Sequence, residues 1–163
     1  MTKKSQPTNR SRTPSSETFM EFVGSNWGEF EPLELSRWPV ADFTRARRDS
    51  IAEKFAGNVI CFEAGDPRVR SNDTDYRFRP DTNFVYFTGW GSQSIPGSKL
   101  VIDARGKAPS ATLYLRPTAG KDSDEFFANP AIGEFWVGQR PSLAQIETQL
   151  GIATRDISKF EDD

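Results

Sequence analysis

Residues 68–90 read RVRSNDTDYRFRPDTNFVYFTGW, and the fold turns on how this stretch is understood. Its first half sets Arg68, Arg70, Arg77 and Arg79 among Asp73, Asp75 and Asp81, with Pro80 between them. Alternating signs through a proline-containing segment suggest a loop pinned by bidentate arginine–carboxylate pairs. A hard cation could use the same aspartates, but two acids flanked by arginines repel a divalent ion, so the structural network is the favoured reading. The second half, Phe84-Val85-Tyr86-Phe87, is apolar at every position. That is the pattern of a central strand covered on both faces.

Working outward, residues 59–62 (VICF), 100–102 (LVI) and 113–115 (LYL) repeat the theme, with turn residues Gly57-Asn58 and Gly65-Asp66-Pro67 around the first run. Residues 106–110 carry Gly and Pro and predict a hairpin loop. Helices are expected around this sheet. One spans residues 17–27 and ends near Gly24 or Gly28; residues 29–39, with two prolines, then run extended. A second helix starts just after Pro39 and runs to about Ala56, where Gly57-Asn58 stops it. Its inner stripe is expected to be Phe43, Ala46, Ser50 or Ile51, and Phe55, with Arg45, Arg47, Arg48, Glu53 and Lys54 in water. Ser142-Leu143-Ala144-Gln145 matches a capping box, and Gly151 stands where a left-handed terminator belongs. A new element begins at residue 152, and the sequence stops soon after its start, which reads as a truncation point. Strands with two-sided apolar character between helices predict an α/β domain with helices on both faces of a sheet.

Composition bounds the chemistry. The 163 residues carry 21 Lys plus Arg against 23 Asp plus Glu, a net charge of −2 that exerts no long-range pull on nucleic acid. The basic charges Lys3, Lys4, Arg10 and Arg12 lie in a polar segment, residues 1–16, expected to be a disordered tail. Cys61, the single cysteine, lies in an apolar run and reads as a buried, inert thiol. No apolar stretch approaches the ~18 residues of a membrane span and no leader pattern is present, so no membrane partner and a cytoplasmic location are expected. Histidine is absent. Imidazole is the usual general base near neutral pH and the commonest metal ligand, so Ser-His-Asp, Cys-His and HExxH chemistry are excluded. What remains is carboxylate-only metal binding or no catalysis.

Ser71-x-Asp73-x-Asp75-Tyr76, Arg79, and Thr82-Asn83-Phe84-x-Tyr86-Phe87-Thr88-Gly89-Trp90 together resemble the signature of the aminopeptidase P N-terminal domain. Flanking features agree in order and distance. Arg45-Ala46-Arg47-Arg48 with Ile51-Ala52-Glu53 is similar to the family's leading helix, and Trp136-Val137-Gly138-Gln139-Arg140 to its W-x-G-x-R motif. The resemblance runs from about residue 40 to 160 and implies a mixed, about six-stranded sheet flanked by helices, of the creatinase and prolidase N-domain type. It further implies a parent Xaa-Pro aminopeptidase, which removes the residue preceding a proline at the second position of a peptide. Two manganese ions would then sit in a C-terminal "pita-bread" catalytic domain absent from this chain, and no metal or cofactor would bind here. By the same resemblance the N-domain supports homo-oligomerisation and narrows a neighbouring active site, Asp73 and Trp136 lie near substrate, and Arg79, Tyr86, Gly89 and Arg140 belong to the scaffold.

The implied organisation is a basic tail (1–16), an N-terminal helix and linker (17–39), the aminopeptidase P N-terminal domain (40–155) and the start of a linker to the catalytic domain (156–163). One departure stands out. Residues 118–135, TAGKDSDEFFANPAIGEF, are longer than the compact acidic spacer of many relatives, and their apolar residues Phe126, Phe127, Ile132 and Phe135 require somewhere to pack. The rival reading is a stand-alone pseudo-peptidase module of the same fold that binds a peptide or protein partner.

Overall fold

The computed structural model describes residues 16–31, 33–72 and 74–163. In chain order its elements are helices α1 (Glu17–Gly24) and α2 (Val40–Lys54), strands β1 (Val59–Glu63), β2 (Val69–Ser71) and β3 (Thr74–Asp75), and helix α3 (Thr82–Thr88). Strands β4 (Lys99–Asp103) and β5 (Ser110–Leu115) follow, then helices α4 (Glu125–Ala128), α5 (Glu134–Val137) and α6 (Leu143–Leu150), strand β6 (Ala153–Asp156) and a closing 3-10 turn at Ile157–Lys159. Contacts divide the chain into two units. One holds residues 16–31, 68–76 and 118–140, and the other residues 33–67, 77–117 and 141–163.

The larger unit is built on a mixed four-stranded sheet in the order β1-β4-β5-β6. β4 is antiparallel to both β1 and β5, with Ile60 opposite Ile102 and Leu100 opposite Leu113. Side chains alternate along β4, so Leu100 and Ile102 are almost wholly buried. β6 joins β5 in parallel, Thr112 pairing with Ala153, and a parallel neighbour requires a crossover. Helix α6 lies in that crossover. Ser142 and Gln145 cap its start reciprocally, and Gly151 ends it at φ 61°, as the sequence predicts. The Arg37 guanidinium packs beside Gly151, but it is the left-handed backbone angle that favours glycine there. Asp163 accepts a hydrogen bond from Tyr114 Oη at 2.9 Å and pairs with Arg155 at 2.8 Å, which fastens the end of the chain to β5 and β6.

Residues 84–87 are not a strand; they form the body of α3. Asp81 Oδ1 accepts from the backbone N–H of Asn83 (2.8 Å) and Phe84 (3.3 Å), and Gly89 closes the helix at φ 74°. Phe84, Phe87 and Thr88, spaced i, i+3 and i+4, are buried while Tyr86 is exposed. Caps at both ends outweigh the strand preference of an apolar aromatic run. The expected inner stripe of α2 is also displaced. Ala41, Thr44, Arg48 and Ala52 are buried, whereas Phe43 and Phe55 are 66% and 51% exposed. The cause is close approach: a Cβ on Gly89 would stand 2.8 Å from Val40 Cγ1 and 3.2 Å from Thr44 Cγ2, a contact that small side chains permit and phenylalanine would not. Cys61 is exposed on β1 rather than buried, because alternation turns Ile60 and Phe62 inward instead. The sheet therefore has four strands rather than about six, and the fold class, mixed α/β with flanking helices, holds.

The smaller unit contains α1, the β2–β3 ribbon, α4 and α5. Ser16 caps α1 by accepting from Phe19 N–H at 3.3 Å. Phe19 meets Phe127 edge-on at 5.3 Å, and Trp27 meets Phe126 at 5.3 Å and Phe135 at 5.8 Å. The long 118–135 segment thus finds its packing partner in residues 19–27, through ring pairs that contribute about 0.5–1.5 kcal/mol each beyond area burial.

Candidate functional site

Trp136 lies on α5, a single turn whose entry is set by Glu134 N–H donating to Ala119 O at 3.0 Å. Its indole N–H donates to Phe127 O at 2.7 Å, and its ring stacks at a tilt on Phe127 (5.2 Å) and edge-on to Phe135 (5.0 Å). The polar atom is therefore satisfied within the protein, yet Trp136 remains 52% exposed. The result is a fixed apolar surface with no donor left to satisfy. In the same unit Arg140 is half-buried, which pushes its guanidinium down, and its Nη2 donates to Ala131 O at 3.4 Å. Gln139 ties the same turn to Glu31 O at 3.0 Å.

Asp73 lies outside the described residues. On either side of it, β2 and β3 pair with Val69 opposite Asp75, and every described residue of the two strands is exposed. Tyr76 N–H donates to Arg68 O at 2.8 Å and closes the base of the ribbon. Asp81 gives its carboxylate to the cap of α3, so it is not the arginine partner that the charge pattern suggests.

The remaining scaffold residues fall in the larger unit. Arg79 is exposed. Tyr86 is 51% exposed and carries the Arg47 guanidinium 4.2 Å above its ring, while Gly89 ends α3. The structure thus gathers Trp136, Arg140 and the ribbon into one unit, and Arg79, Tyr86 and Gly89 into the other. Sequence reasoning misses the role of the two consecutive arginines. Arg47 donates to Tyr86 O at 2.9 Å and Arg48 to Phe87 O at 2.8 Å, so both neutralise the carbonyl end of α3. Periodicity sends arginine outward; only the Arg-Arg pair in a helix beside a short capped segment hints at this use.

The chain lacks histidine, and among the described residues no three His, Cys, Asp or Glu side chains converge on a point. Among those residues, too, no helix is long and apolar enough to cross a membrane.

A family model described as the aminopeptidase P N-terminal domain matches residues 44–163. The chain belongs to this family. Among curated relatives of this family member, Xaa-Pro aminopeptidase 1 of Streptomyces coelicolor is 35% identical over 145 residues, which are 89% of this chain and 29% of that protein. Xaa-Pro aminopeptidase of Haemophilus influenzae is 24% identical over 118 residues, 72% of this chain and 24% of the relative. The chain therefore spans under a third of the length of the relatives it matches. Among solved structures, a low-pH form of Escherichia coli aminopeptidase P superposes with a TM-score of 0.61 at 22% identity, covering 80% of this chain and 26% of the other. A Bacillus anthracis protein described as a putative aminopeptidase P gives 0.58 at 23% identity, covering 75% and 26%. At such identities the structures support the aminopeptidase P N-domain fold alone.

Proposed function

We propose that this chain is the non-catalytic N-terminal domain of a manganese-dependent Xaa-Pro aminopeptidase. The observation that carries the reading is a mismatch of coverage: a relative named as an Xaa-Pro aminopeptidase aligns with nearly all of this chain, while this chain accounts for under a third of the relative. The lack of histidine removes the usual general base and metal ligand from this chain, which suits chemistry located elsewhere. In this reading residues 40–155 are the domain, residues 1–16 a tail, residues 17–39 a helix and linker, and residues 156–163 lead toward a pita-bread catalytic half that holds both metals. The assembled enzyme is a cytoplasmic homo-oligomer acting on peptides with proline at the second position. The domain supports assembly and restricts access to a neighbouring active site.

Asp73 and Trp136 are the residues proposed to face substrate, Asp73 toward the peptide's free amine and Trp136 as an apolar wall. The satisfied indole N–H and half-exposed ring of Trp136 suit that task. The test is kinetic, on the full product of the gene that encodes this chain. Trp136→Ala should raise KM for an Xaa-Pro peptide about tenfold with a smaller change in kcat, and Trp136→Phe should restore most of it. An unchanged KM in a variant that keeps its oligomeric state would remove Trp136 from the site. A gene product without two Asp, one His and two Glu in order would favour the stand-alone interaction module.

A further inference from the structure

In the sheet-bearing unit a cavity of about 170 Å³ opens beside α2, with Arg45, Arg48, Asp49, Ile102, Ser110 and Ile152 among its walls. That is roughly ten times the ~10–15 Å³ needed to hold one water. Arg48 is 4% exposed and makes no ion pair among the described residues. Its single hydrogen bond there, Nη1 to Phe87 O at 2.8 Å, uses one of the five N–H donors a guanidinium offers. None of the remaining Arg48 donors is among the buried polar atoms left without a partner, so they stay accessible and free to meet a ligand.

The surroundings do not supply the opposite charge. Asp49 is the one acid among the lining residues; its side chain is 58% exposed, and its carboxylate stands 3.9 Å from Arg45 Nε. Arg37 adds a third cation close by. Its guanidinium packs on Gly151, which also lines the cavity, although Asp42 holds its Nη2 at 2.6 Å. Burial pulls Arg48 down to about 10; Arg45 and Arg37 push the same way, against Asp49.

We propose that this cavity is a binding site for a small oxyanion of the phosphate type, gripped by the guanidinium groups of Arg45 and Arg48. Planar guanidinium forks match such oxygens in pairs, and the buried Arg48 holds an anion in a less hydrated setting than a surface lysine would, with the exposed Arg45 closing on it from the rim. The inference rests on residues remote from Trp136 in sequence and stands independently of the peptidase reading.

The probe is inorganic phosphate, titrated into the 163-residue chain against chloride at matched ionic strength, with the side-chain N–H resonances of arginine followed by NMR. Saturable shifts of the Arg48 signals are expected in phosphate and not in chloride. Arg45→Gln should weaken binding about five- to tenfold, and Asp49→Asn should tighten it about two- to threefold, since one removes a donor and the other a repelling charge. Both side chains are mostly exposed (72% and 58%), so these variants should fold, whereas Arg48 also closes α3 and is left in place. Shifts that never saturate, that appear equally in chloride, or that are indifferent to both substitutions would overturn the site.

Discussion

Arg47 and Arg48 are neighbours with opposite fates. One leans over an exposed tyrosine ring, while the other is buried against a backbone carbonyl. Replacing Arg48 by Leu leaves Phe87 O without its donor in a buried place and should cost about 2–3 kcal/mol in urea unfolding. Arg47→Ala loses an exposed cation–π contact and one hydrogen bond, so about 0.5–1 kcal/mol is expected. Equal losses at the two positions would contradict this division. Asp103 offers a separate test by pH. Arg105 binds it through Nε (3.0 Å), Nη2 (2.7 Å) and its backbone N–H (2.9 Å), and these bonds, side chain first, lower the carboxyl from 3.8 to about 2. A depressed carboxyl favours the fold above pH 3.8, and its contribution disappears as pH falls toward 2. An NMR titration of Asp103 should therefore give a midpoint near 2, rising partway toward 3.8 in Arg105→Ala. A midpoint at 3.8 in the unaltered chain would show the pair is not formed.

At the scale of elements, α3 shows where sequence reading succeeds and where it stops. The capping box at Ser142 and the terminator at Gly151 are legible because a cap is local chemistry at fixed spacing. Strands β1, β4 and β5 are legible because apolar runs bounded by turn residues leave few alternatives. Residues 84–87 mislead because four apolar residues satisfy a strand and a buried helical turn equally, and the deciding residues, Asp81 and Gly89, lie outside the run. β6, with its sequence ATRD, carries no apolar signal and exists through pairing with β5. Asp81→Ala should cost about 1 kcal/mol of stability, within the 0.5–2 range of lost N-caps, and Asp81→Asn much less. No loss on Asp81→Ala would mean that α3 is held by packing alone. Of the candidate site, Trp136 and Arg140 are visible as motif letters, but the bond from the indole to Phe127 O depends on a distant loop that periodicity cannot place.

For the whole molecule, the two units divide the sequence unevenly. The family match covers residues 44–163, and the larger unit takes most of it. The smaller unit joins residues 16–31, all ahead of the match, to the 118–140 segment through Phe19, Trp27, Phe126, Phe127 and Phe135. The 118–140 segment and the N-terminal helix are thus one structural feature. They present Trp136 half-exposed beside the cluster. In the proposed reading this chain organises a peptidase without performing its chemistry. The most direct test is to incubate the purified 163-residue chain with manganese and an Xaa-Pro peptide, and to measure release of the first residue against a metal-only control. The account predicts no release above that control. Turnover that rises in proportion to the concentration of the chain would contradict it.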